Sequence, residues 1–184
     1  MILLVAVLAL LGCPKTDQSL VLVGGKTLAV EVIDDQPLNV LPSGALLLGT
    51  LDVEALFKTN LGGQVGRIVA GLLPLGPESG FVPARDVKRI YGAVYAMQGA
   101  DFAAVIQGNF NVAAIQQAAQ TRAQTPSGAQ LVRTRYADYD IYTVANLGFV
   151  VLTQRTILSG NETGMRRALD RLRFGPFNQA LPSW

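Results

Sequence analysis

Residues 90–98 read IYGAVYAMQ, residues 102–110 read FAAVIQGNF, and Gly99-Ala100-Asp101 stands between them. Two apolar runs joined by a short link containing glycine predict an antiparallel hairpin. In the second run Phe102, Ala104, Ile106, Gly108 and Phe110 share one face, and Ala103, Val105, Gln107 and Asn109 share the other. The outer face is therefore only partly polar. Asn111 follows at once, placed to cap a helix that runs to about Ala123 and is stopped by Thr125-Pro126-Ser127-Gly128.

The same strand-to-helix junction recurs on either side. Ala45–Leu51 is short and apolar, as a buried strand would be, and Asp52 stands at the N-cap position of a helix with Phe57, Leu61, Val65, Ile68 and Leu72 on one face. Gly62, Gly63 and Gly66 weaken that helix by roughly 1 kcal/mol each relative to Ala, and mark either a break or a close approach to a sheet. Pro74–Pro83 is a loop, and Pro83–Arg89 begins as one or two helical turns. Ala129–Ala137 and Asp140–Asn146 form another hairpin around Asp138-Tyr139, and Phe149–Thr153 and Thr156–Leu158 supply further strand. Asn161 then caps a last helix, Glu162–Arg173. At the front, Leu20–Val23 and Lys26–Ile33 flank Gly24-Gly25 as a β-branched hairpin, ended by Asp34-Asp35-Gln36-Pro37. Asp52, Asn111 and Asn161 lie 59 and 50 residues apart, too loose a spacing for a solenoid. The pattern predicts an α+β fold: a two-layer sandwich of a largely antiparallel sheet with helices packed on one face.

Ahead of this body, Ile2–Leu11 is an unbroken apolar run of ten residues. As a helix it would reach about 15 Å, half of a ~30 Å hydrocarbon core. Lys15 through Ser19 are polar, so the run has the size of a signal-peptide h-region rather than a membrane span. Leu10-Leu11-Gly12-Cys13 resembles the lipobox of bacterial lipoproteins. The resemblance implies cleavage before Cys13, acylation of its thiol, and anchoring to a membrane on the exported side of a bacterial cell envelope. Each buried acyl CH₂ contributes about 0.8 kcal/mol, and two or more chains anchor durably where one does not. Gln107-Gly108-Asn109-Phe110 ahead of a helix, and a final helix containing Ala168-Leu169-Asp170-Arg171-Leu172, are similar to uncharacterised envelope lipoproteins of Gram-negative bacteria. The expected organisation is a signal peptide at 1–12, a lipidated tether at 13–19, a β-hairpin at 20–40 and the α+β domain at 41–184. The stretch Phe174–Trp184 has no closing element, so the domain reads as truncated at its C-terminal end.

Composition narrows the chemistry. The 184 residues contain no His and one Cys, which excludes imidazole catalysis, imidazole metal sites, an internal disulfide and Cys-cluster metal sites. A net charge of +2 gives no electrostatic footprint for nucleic acid. Gly24-Gly25-Lys26-Thr27 ends like a phosphate-binding loop, but Leu20 occupies the first glycine position and a strand follows where a helix is required. Asp34/Asp35, Asp52/Glu54 and Asp138/Asp140 are carboxylate pairs in turn or cap contexts, and no Ser-x-x-Lys spacing occurs. No catalytic residues, metal ligands or cofactor are assigned.

The candidate binding residues are Tyr136, Tyr139 and Tyr142 with Arg133 and Arg135, all on one hairpin. Such rings stack on a sugar or a peptide, or else pair across strands to stabilise the sheet by about 0.2–1 kcal/mol each. The last helix sets Arg166, Arg167, Arg171 and Arg173 against Met165, Leu169 and Leu172, either as a solvated face or as one for anionic headgroups. Residues 1–80 sum to −3 and residues 81–184 to +5. The sequence thus predicts a lipid-anchored envelope protein with a non-enzymatic structural or binding role. Its partners would be the membrane, through the acylated N-terminus, and an envelope protein or glycan. The alternative is a surface-tethered hydrolase using carboxylates such as Asp138 and Asp140.

Overall fold

The computed structural model describes residues 28–98, 101–120 and 129–175. The signal peptide at 1–12, Cys13, the tether at 13–19, the Leu20–Val23 strand, the end of the helix after Asn111 and the chain beyond Gly175 lie outside them.

The 90–110 hairpin forms as its alternation dictates. Strand β2 (Val87–Ala96) pairs antiparallel with β3 (Asp101–Gly108), setting Ile90 opposite Ile106 and Gly92 opposite Ala104. Strand β1 (Leu47–Asp52) pairs on the outer side of β2. After β3 the chain crosses through helix α5 (Val112–Gln120) and returns as a meander of β4 (Val132–Tyr136), β5 (Tyr139–Val144), β6 (Leu147–Val151) and β7 (Thr156–Asn161). Strand β7 docks antiparallel on β3, giving one open seven-stranded sheet in the order β1-β2-β3-β7-β6-β5-β4. All six residues of β7 are buried, so it is the middle of the core.

The junction residues behave as caps. Asp52 accepts from the Ala55 N–H at 2.9 Å to start α2 (Val53–Phe57), and Asn111 accepts from Ala114 at 3.1 Å to start α5. Asn161 accepts from Gly164 at 3.3 Å to start α6 (Glu162–Phe174), and its same oxygen also holds the Phe102 N–H of β3 at 2.9 Å. The glycines after Phe57 do mark a break: α2 ends there and α3 (Gly62–Leu72) begins anew. Pro83 opens a single turn, α4 (Pro83–Asp86), which runs straight into β2.

The α+β class and the antiparallel sheet are present as expected, and helix covers both faces of the sheet rather than one. Ala104, Ile106, Tyr142, Phe149 and Ile157 pack with Val65, Val69 and Ile115 of α3 and α5. On the other face Ala103, Val105, Ile141, Val150 and Leu158 pack with Met165, Ala168, Leu169 and Leu172 of α6, all four of them fully buried. The physical reason lies in the strands. In β3 both alternating sets, Ala103/Val105 and Ala104/Ile106, are apolar and buried, and at roughly 1.5–3 kcal/mol per large side chain neither face can be left wet. Gly164 lets α6 approach, because a Cβ there would overlap the carbonyl oxygen of Phe102.

Two local expectations are corrected. Of the residues expected as the second strand of an N-terminal hairpin, Lys26–Ile33, the described part, 28–33, instead leads into helix α1 (Val30–Asp35), which buries Ile33 on the α6 face. Their β-branched preference is overridden by that contact and by the tethering of Asp34 described below. Within the run Ala45–Leu51 the strand begins only at Leu47, and it is an exposed one at the sheet edge, with Leu47 and Leu48 open to solvent.

Candidate functional site

Strand register assembles a polar row that no stretch of sequence displays. Asp52 of β1 stands opposite Arg89 of β2, Arg89 opposite Gln107 of β3, and Gln107 opposite Thr156 of β7. Four neighbouring strands thus present polar side chains at one end of the sheet. Asp34, near the end of α1, closes over the row. Its carboxylate accepts from Thr153 Oγ1 at 2.5 Å, Thr156 Oγ1 at 2.7 Å and Arg155 Nε at 3.1 Å, while Gln107 Nε2 donates to its backbone carbonyl at 2.6 Å. Burial alone would raise the Asp34 carboxyl; the hydrogen bonds from Thr153, Thr156 and Arg155 together outweigh it and hold the group below its ordinary value. Arg155 also reaches Asp35 at 3.3 Å.

Beside this clip lies a polar cleft of 270 Å³ whose walls include Asp52, Glu54, Lys88, Arg89 and Asn109. Arg89 and Asp52 meet at 3.5 Å, and Glu54 pairs with Lys58 at 3.3 Å. The Ala55 N–H and Arg89 keep the Asp52 carboxyl low against a smaller opposing effect of burial. Lys88 has no ion-pair partner among the described residues. The cleft mixes three cations with three carboxylates, so its charges largely answer one another. Among the described residues no group of three or more Cys, Asp or Glu is placed to share a metal ion.

The hairpin residues singled out by sequence divide between the two faces. Tyr136 stands opposite Tyr139 across a tight turn in which Ala137 and Asp138 have φ of +49° and +69°. Both rings lie toward the α6 side. Tyr136 Oη donates to Asp170 at 2.9 Å, and the Arg166 guanidinium lies over its ring at 4.7 Å. That hydrogen bond, with burial, raises the Tyr136 hydroxyl above its ordinary value. Tyr142 faces the other way, buried and stacked on Phe149 at 5.2 Å, with its hydroxyl unpartnered. Arg133 stands opposite Tyr142, and Arg135 opposite Asp140, on that second face. The five residues therefore do not form one stacking platform.

The carboxylates of the alternative reading are also separated. Asp138 is exposed at the turn, while Asp140 is half-buried and held by Arg133 at 2.7 Å. On α6, Arg166 pairs with Glu162 at 2.6 Å, and Asp170 is taken by Tyr136. Arg167 binds Asp101 at 2.8 Å and lies 4.6 Å over the ring of Tyr95. Arg171 donates to the Asn39 carbonyl at 2.7 Å. These arginines fasten α6 to β3, the β4–β5 hairpin and the segment before β1. Burial pushes the Tyr95 hydroxyl up to about 12, and that hydroxyl donates to the Pro42 carbonyl at 3.0 Å.

No family model matches the chain, and no curated protein matches it. Among solved structures, crystal form I of TP0453 is similar at 17% identity with a TM-score of 0.50, over 74% of this chain and 50% of that one. Crystal forms III and IV of the same protein align at 14% and 16% identity, each with a TM-score of 0.47. The match thus spans half the length of TP0453, and at this identity the likeness is one of fold.

Proposed function

We propose that this chain is a lipid-anchored protein of the bacterial cell envelope whose α+β domain has a structural or binding role. The observation that carries the reading is the apolar run Ile2–Leu11 closing on Gly12-Cys13, the one cysteine in 184 residues at the one position where acylation needs it. Among the described residues no helix is long and apolar enough to cross a membrane, so an acyl anchor would supply membrane attachment that those helices do not.

The domain's chemistry supports binding or scaffolding over catalysis. Asp34, Asp86, Asp101, Asp140 and Asp170 are each held by an Arg, Thr or Tyr partner. A general acid or base needs a carboxyl free to exchange its proton with substrate, and these are committed to holding elements together. The membrane, through Cys13, is the first partner; an envelope protein or glycan is the second.

Metabolic labelling with an alkyne fatty acid tests the anchor. The wild-type chain takes up the label and its mature amino terminus is acylated Cys13, whereas Cys13→Ala takes up none. A mature species that begins at Met1 and carries no added hydrocarbon overturns the reading.

A further inference from the structure

The two edges of the open sheet are built differently. Strand β4 carries Arg133 and Arg135, both exposed, and charged side chains are a common guard against edge-to-edge pairing. Strand β1 has a charged residue only at its far end, Asp52, which caps α2. From Gln36 to Leu51 the chain holds no charged residue. Leu46, Leu47 and Leu48 stand 67%, 64% and 58% exposed, and no residue of β1 is buried. Side chains alternate along a strand, so Leu47 and Leu48 expose apolar surface on opposite faces of the same edge. On one of those faces Leu47 and Leu51 join Leu72, Val94 and Phe102 along an open apolar trough of 330 Å³.

We propose that β1 is a homodimer interface: the β1 strands of two copies pair antiparallel about a two-fold axis, joining two seven-stranded sheets into one. Among the described residues nothing pairs with the outer edge of β1, and β1 of a second copy offers a matching edge and matching apolar cover. Isologous pairing satisfies both edges in one contact and closes the assembly, leaving the guarded β4 strands at its two ends. The uncharged stretch before Asp52 lets two copies approach without like-charge opposition. The apolar surface it offers is that of Leu46, Leu47 and Leu48 with the trough beside them, presented twice over in a two-fold pair.

Sedimentation velocity of the full chain in non-ionic detergent, over micromolar concentrations, tests this. The wild-type chain sediments as a dimer. Leu48→Lys places two like charges in the shared edge and raises the dissociation constant on the order of a hundredfold. Val132→Lys, on the opposite β4 edge and equally exposed at 58%, leaves it unchanged. Leu48→Thr keeps β propensity without charge and weakens the dimer about tenfold; it decides the matter if Leu48→Lys does not fold. A wild-type chain that is monomeric throughout, or a dimer indifferent to both Leu48 variants, overturns the proposal. So does a monomer that floats with phosphatidylcholine vesicles and loses that affinity in Leu48→Lys, which would assign the patch to lipid.

Discussion

Removing the Asp34 carboxylate tests whether the clip over the polar row holds α1 in place. Asp34→Ala deletes the acceptor of three hydrogen bonds, from Thr153, Thr156 and Arg155. The Asp34 side chain is 8% exposed and Thr156 is fully buried, so at least one hydroxyl is left without a partner and without water. Hydrogen bonds to a charged group contribute about 1.5–3 kcal/mol each, but Arg155 is half in solvent and its share is screened. The two threonine bonds and the orphaned hydroxyl, less the cost of burying the carboxylate that the substitution relieves, give an expected loss of about 2–4 kcal/mol. For a domain of this size that is about 6–12 °C in Tm, read by circular dichroism on the full chain. Asp35→Ala, which removes only the outer ion pair of a 69% exposed carboxylate, changes stability by less than about 0.5 kcal/mol.

The pH dependence follows from the lowered Asp34 carboxyl. A group whose folded value lies below its unfolded value adds stability above the unfolded value, ordinarily 3.8, and loses it as pH falls through the folded value. The gap between wild type and Asp34→Ala is therefore full near neutrality and narrows as pH falls below 3.8. If Asp34→Ala melts within a degree or two of Asp35→Ala, or the gap is undiminished in acid, the clip is not what fixes α1.

Asn161→Ala removes the α6 cap and leaves the Phe102 N–H of β3 without its acceptor; the expected loss is about 2–3 kcal/mol in urea unfolding. Gly164→Ala drives a methyl group into the Phe102 carbonyl and costs more than about 3 kcal/mol, whereas Gly66→Ala, in mid-helix with only the Phe57 ring at 3.7 Å, stabilises by about 0.5–1 kcal/mol. Tyr95 ionises near 10 when unfolded and about 12 when folded, so stability falls as pH rises through that interval. Unfolding curves recorded against pH should show less of this decline in Tyr95→Phe.

What the sequence displays is what neighbours along the chain decide. Asp52, Asn111 and Asn161 are legible as caps because each bonds a backbone N–H three residues on. The β2–β3 hairpin is legible because its two runs are joined by a single short turn. Helix α1 is not, because the residues that fix Asp34 lie 119 to 122 positions away. The tyrosines mislead for a geometric reason. A two-residue turn sets Tyr136 directly opposite Tyr139, and an odd step of three along β5 then throws Tyr142 onto the other face. The row Asp52–Arg89–Gln107–Thr156 depends on register across four strands and leaves no local trace.

Strand β1 is the instructive failure. Its run of leucines and the lack of charge ahead of Asp52 mark it as a buried strand, and composition carries that mark whether the covering surface is in the same chain or another. A strand facing water by design would show polar alternation or an edge guard, as β4 does with Arg133 and Arg135. Instead β1 has the composition of core and the position of an edge. The two agree once a second strand lies beside it, because pairing satisfies its outer backbone groups and sets Leu47 and Leu48 against apolar side chains of the neighbouring strand. The polar cleft shows the opposite balance, its charges other than Lys88 answered within the domain, so the larger unmet surface lies at the apolar edge rather than in the pocket.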